Sequence, residues 1–187
     1  ANWAYSQTGV RPAFLLAILT QESDLGKNIG QCYLKDPVTG DGVGKNTGRK
    51  FERVMNPKRD VPVFLQITKE LGLDPYSTQV SCPMSFGWGG AMGPAQFIPS
   101  TWILYKSKLS SILGKTPNPW DIRDSFLAAA LLLKDNGARS GDTNSEWQAA
   151  MLYFSGSLNP KYSFYGDNVM ALTEKYQQDI NTLNQNR

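Results

Sequence analysis

The chain has 187 residues, 41% of them hydrophobic, with 19 basic against 16 acidic residues for a net charge of +3, the size and composition of a globular protein with enough chain to bury a core. It contains no histidine and only two cysteines, so Ser-His-Asp triads, histidine general bases, His-liganded metals, four-cysteine zinc sites and iron-sulfur clusters cannot be assembled from it. The basic excess is spread without dense Lys/Arg runs, which argues against nucleic acid as a partner, and the longest apolar runs, Ala13 to Leu19 and Phe126 to Leu133, fall far short of the roughly 20 residues of a membrane span.

No repeat or low-complexity segment interrupts the chain, and one domain over 1–187 is the expectation. The chain opens at Ala1 without a basic and apolar leader, as expected if a leader was removed or the domain excised. The first strong helix is predicted from Pro12 to Leu25, with Pro12 in the first turn and Gly26 as its stop. Its apolar face, Leu15, Ile18 and Leu19, continues onto Glu22. Residues 26 to 60 carry six glycines and no clear period, a connection longer than ordinary loops and therefore functional or crosslinked. Asp60 opens a second helix through Phe64, Ile67 and Leu71 to Gly72, and Asp74-Pro75 begins a loop that reaches Pro99. Ser100 is the expected N-cap of a third helix that Gly114 closes. A fourth runs from Asp121 or Asp124 to Asn136, a fifth from an Asn144 or Ser145 cap to about Phe154, and a last from about Tyr165 to Leu183. Alternating β-branched runs are scarce, so the predicted fold is mainly α with long ordered loops.

Glu22 stands at the end of an apolar helix face, where the helix dipole and partial burial both disfavour a charge and raise the pKa toward that of a general acid. A solvated glutamate in a frayed last turn is the competing reading. Asp24 is two residues on and points to another side, so it cannot flank the same bond. The stretch Ser85 to Ser100 combines four glycines with Phe86, Trp88 and Phe97. It can serve as a stacking platform for sugar rings or as a tight turn that plugs the core, and Gln96 adds an amide that both donates and accepts hydrogen bonds. Gly40 to Lys45 lacks the spacing of a phosphate loop.

Glu22-Ser-Asp-Leu-Gly26, Gly90-Ala-Met-Gly-Pro-Ala-Gln-Phe-Ile-Pro-Ser100 and Asn118-Pro-Trp-Asp121 with Asp124 resemble, in order and spacing, the lytic murein transglycosylases of the B type over residues 10 to 185. The resemblance implies a lysozyme-like fold that cuts the N-acetylmuramic acid to N-acetylglucosamine bond of peptidoglycan without water. Glu22 would act as acid and then base, leaving a 1,6-anhydro ring. It further implies sugar contacts by Gln96, Tyr153, Ser23, Phe97 and Trp88, action as a monomer outside the cytoplasm, and no cofactor. A goose-type lysozyme and a non-catalytic wall-binding module are the alternatives. The family pattern often has Tyr-Asn where Tyr153-Phe154 stands, and serine where Gly87 stands. Some members carry a calcium loop before Asn-Pro-Trp-Asp, but Lys106 to Pro119 holds no acidic residue here, so no metal is expected. For an exported enzyme, Cys32 and Cys82 are expected to pair.

Overall fold

The computed structural model describes residues 1–85 and 87–185; Phe86, counted above among the loop aromatics, lies outside them. Among the described residues the fold is mainly α, with seven α-helices, one short 3-10 turn and a small sheet. The contacts gather into two compact units, residues 1–25 with 126–187 and residues 26–125.

In the first unit, α1 (Asn2–Thr8) leads into α2 (Pro12–Ser23). Helix α2 supplies much of the core of this unit: Ala13, Phe14, Leu15, Ala17, Ile18 and Leu19 are without solvent contact. The last helix, α7 (Ser163–Gln185), packs along α2, and α6 (Thr143–Ser155) packs along α7. Helix α2 stops two residues earlier than expected, because Asp24 and Leu25 both adopt left-handed φ, 50° and 55°. Their N–H groups return to Thr20 O and Leu19 O, which satisfies carbonyls that a helix end otherwise leaves bare. Helix α6 is capped by Asp142, whose carboxylate accepts from the Ser145 N–H at 3.2 Å, and not by Asn144 or Ser145. Arg11 forks onto the buried Glu146 at 2.7 and 2.6 Å, tying the start of α2 to that of α6.

The second unit holds what the sequence pattern concealed. Strands β1 (Cys32–Asp36), β2 (Asp41–Gly44) and β3 (Lys50–Phe51) form an antiparallel meander in the segment expected to be loop. Leu34 pairs with Gly42, and a Cβ on Gly42 would lie 2.0 Å from Tyr33 O. A branched side chain cannot stand there, which removed the alternation that signals a strand. Cys32 exchanges backbone hydrogen bonds with Val80 and is disulfide-bonded to Cys82, as expected.

Helix α3 (Val61–Glu70) begins after Asp60, and α4 (Pro99–Leu113) begins one residue before the expected Ser100 cap. Asp60 is the N-cap of α3 by position, without a side-chain cap hydrogen bond, and its carboxylate serves the start of α4 instead. Asp60 is fully buried, accepts from Arg59 at 2.9 and 2.6 Å, and accepts the Ser100 N–H at 3.1 Å. The first turn of α4 is thus capped from 40 residues away and needs no local cap. Helix α5 (Ile122–Asp135) runs out of this unit into the first, its start capped by Asp121 Oδ1, which accepts from Arg123 and Asp124 N–H.

Candidate active site

Glu22 lies in the last turn of α2 in the first unit. It retains some contact with solvent, yet burial pushes its carboxyl from the ordinary 4.5 up to about 7, with a hydrogen bond from Tyr165 pulling the other way. Tyr165, 2% exposed in the first turn of α7, donates its hydroxyl to Glu22 Oε1. Tyr153 of α6 also faces Glu22: burial first, and the Glu22 charge second, hold its phenol well above its usual pKa. Burial, the Glu22 charge and the shared hydrogen bond do the same for Tyr165, with Tyr153 adding to them. Both phenols therefore stay protonated at every pH of interest and can only donate to or neighbour the carboxylate. The carboxyl, poised to be half protonated near neutral pH, is suited to lose and regain one proton in a cycle.

The other expected residues divide. Ser23 is 2% exposed and its hydroxyl turns back onto Leu19 O at 3.3 Å. Tyr153, expected to border Glu22, lies near enough for the Glu22 charge to act on its phenol. Tyr165 was read only as the beginning of a helix; no local pattern marks a tyrosine 143 residues from its partner. Phe154, at the position of the family asparagine, lies with its ring stacked on Tyr165 at 4.6 Å and 16°.

Gln96, Phe97 and Trp88 belong to the glycine-rich loop of the second unit. Met92 N–H bonds to Phe97 O at 2.9 Å, and inside that bridge Gln96 takes a left-handed φ of 52°. Such a conformation is strained for a residue with a Cβ and is held by a double anchor: the backbone N–H and Nε2 of Gln96 both donate to Gly93 O, at 3.2 and 2.8 Å. Gly93 itself has φ of 61°, and a Cβ there would fall 1.8 Å from Pro119 O, so the Gly-Pro-Ala-Gln turn presses directly on the Asn-Pro-Trp-Asp turn. The latter is fastened by Trp120 Nε1 donating to Gln79 O at 2.9 Å and by Asn118 N–H donating to Asp124 Oδ2 at 2.9 Å. Phe97 is 3% exposed and packs edge-on against Trp102 and Tyr105, so it braces the turn from the core. Trp88 is 37% exposed. No group of three or more Cys, Asp or Glu side chains among the described residues gathers as metal ligands would.

A profile of the transglycosylase SLT domain matches residues 2–174. Among solved structures, the catenated lytic transglycosylase SltB1 from Pseudomonas aeruginosa is 16% identical with a TM-score of 0.66, the match covering 95% of this chain and 73% of that one. The Escherichia coli lytic transglycosylase Slt35, in complex with bulgecin A, is 17% identical with a TM-score of 0.64 over 92% of this chain and 68% of that one. No match is found among curated protein sequences. At such identities the structural likeness establishes the fold, which is the lysozyme-like helical one.

Proposed function

The chain belongs to the transglycosylase SLT domain family and is a peptidoglycan lytic transglycosylase; from that premise we propose that Glu22 is its one catalytic acid and base. The observation that supports this is the setting of the carboxyl: raised to about 7, hydrogen-bonded by the Tyr165 phenol and near enough to Tyr153 for its charge to be felt there, with no second carboxylate among the groups that shift it. A retaining hydrolase needs a partner carboxylate about 5 Å away, and an inverting one needs a base roughly 6.5 to 9.5 Å away to activate water. The nearest acid in sequence, Asp24, is exposed on the left-handed turn, and Glu146 is committed to Arg11.

One carboxyl suffices when the nucleophile is already part of the substrate. Protonated Glu22 gives its proton to the glycosidic oxygen as the bond from C1 to that oxygen breaks, and the substrate's acetamido group stabilises the positive charge at C1. The carboxylate then takes the proton of the muramoyl C6 hydroxyl as O6 bonds to C1, closing the 1,6-anhydro ring and returning Glu22 to its starting state. No water is consumed, and both proton transfers balance without a cofactor. The tethered hydroxyl gains the advantage of a positioned nucleophile over bulk water.

Gln96 and Trp88 contact the sugars, Tyr153 borders the reacting carboxyl, and Phe97 and Ser23 hold the two turns that present them. The enzyme acts as a monomer outside the cytoplasm, a location favoured by the Cys32–Cys82 disulfide. Among the described residues no helix is long and apolar enough to cross a membrane. The test is a digest of purified peptidoglycan read by mass spectrometry. Wild-type protein yields muramoyl ends lighter by one water than hydrolysis products, and Glu22→Gln loses lysis by several orders of magnitude. Reducing ends alone would mark a hydrolase of the goose type instead, and full lysis by Glu22→Gln would remove Glu22 from the reaction.

A further inference from the structure

We propose that Phe154 is a positioning residue of the reaction: its ring, stacked flat on Tyr165, holds the phenol in the one orientation that donates to Glu22. The inference rests on Glu22 as the catalytic carboxyl. Phe154 occupies the last turn of α6 and Tyr165 the first turn of α7. Between them runs a short connection through Gly156 and the 3-10 turn Pro160–Tyr162. Two helix ends joined this way leave a tyrosine side chain several rotamers to choose from. The 4.6 Å, 16° stack removes that freedom, because a ring held face to face cannot swing its hydroxyl out of the stacking plane without losing the contact.

Phe154 is itself fixed. Tyr162 meets it edge-on at 5.6 Å and 72°, and Phe164 at 5.8 Å and 75°. The chain of contact thus runs from Tyr162 and Phe164 through Phe154 to Tyr165 and ends on the carboxyl. A polar side chain at position 154 could touch substrate directly; the phenyl ring acts on Tyr165.

The consequence is a pH profile. The phenol stabilises the charged form of Glu22, so loosening it leaves burial unopposed and raises the carboxyl pKa further. The titratable groups facing Glu22 within this unit are Tyr153 from α6 and Tyr165 from α7, and on its own element Asp24 is exposed. Both tyrosines remain neutral, so the movement is that of Glu22 alone.

The test uses Phe154→Leu, Phe154→Met, Phe154→Tyr, Tyr165→Phe and the Phe154→Leu/Tyr165→Phe double variant, with two readouts: the high-pH limb of kcat/KM, and the Glu22 carboxyl titration followed by 13C NMR. In Phe154→Leu both should move up by about one pH unit, in Phe154→Tyr both should stay at the wild-type position, and in the Tyr165→Phe background Phe154→Leu should add nothing. Phe154→Met replaces Phe154→Leu if the latter melts too low to titrate. A carboxyl titration unmoved by loss of the ring, or one still moved when Tyr165 is already phenylalanine, overturns the positioning role. If the NMR titration moves and the rate limb does not, the positioning holds and the catalytic assignment of Glu22 fails.

Discussion

Replacing Glu22 by Gln should inactivate the enzyme and stabilise it, and the size of the stabilisation should depend on pH. In the unfolded chain the carboxyl titrates near 4.5, and in the folded protein near 7. Between those values the folded protein keeps a proton that the unfolded chain has released, so stability is lost as pH rises from about 4.5 and levels off above 7. The whole difference is about 3 kcal/mol. Glutamine has the same volume, carries no charge at any pH, and still offers Tyr165 an oxygen to donate to. The variant therefore escapes the penalty of a buried carboxylate without losing the contact.

For a chain of this size a kilocalorie moves the melting temperature by about 2–4 °C. Glu22→Gln should melt close to wild type at pH 4.5 and roughly 6–12 °C above it at pH 8. Scanning calorimetry of both proteins at several pH values between 4.5 and 8 checks this, since every other titrating group is common to the pair and drops out of the difference. A gap that does not change with pH, or one that narrows as pH rises, would refute the raised carboxyl and with it the physical basis for a single acid and base.

Opening the Cys32–Cys82 disulfide, which closes a span of 50 residues, should cost about 4 kcal/mol in the chain-entropy treatment; denaturant midpoints with and without reductant measure it, and intact mass after alkylation should show two new thiols only in the reduced sample. Gly93→Ala should be among the most damaging single-methyl changes, about 1–2 kcal/mol from the left-handed φ and more from a Cβ placed 1.8 Å from Pro119 O. A loss below about 1 kcal/mol in urea unfolding would mean that the two turns are not pressed together as described.

The helices were legible because apolar spacing and glycine stops are local signals. Gly72 and Gly137 follow the ends of α3 and α5, and Gly114 caps α4 with a φ of 67°. What stayed hidden depended on partners far along the chain. The sheet could not announce itself, since the register puts glycines, Gly42 and Gly44, opposite Leu34 and Cys32, and at Gly42 close backbone approach forbids the residues that mark a strand. The start of α4 was misplaced by two residues, since its N-cap is Ile98 and the carboxylate that serves its first turn is that of Asp60, which no local window contains. Helix α1, seven residues without a side-chain cap, is too short for its period to be read.

The candidate site followed the same division. Glu22 was visible as a carboxylate ending an apolar face, and the rise of its pKa was foreseeable from burial alone. The brake on that rise was not: Tyr165 reaches Glu22 only after α7 has packed along α2. Phe154 shows the difference most clearly. From sequence it registers as a lost polar group, an asparagine position filled by a hydrocarbon ring, and the natural inference is a missing sugar contact. In the folded unit that ring stacks on the tyrosine that bonds to Glu22, flanked by Tyr162 and Phe164. A phenyl ring can replace a polar side chain when what must be conserved is the position of a neighbouring hydroxyl, and whether this ring does so is decided by the pH at which Glu22 gives up its proton.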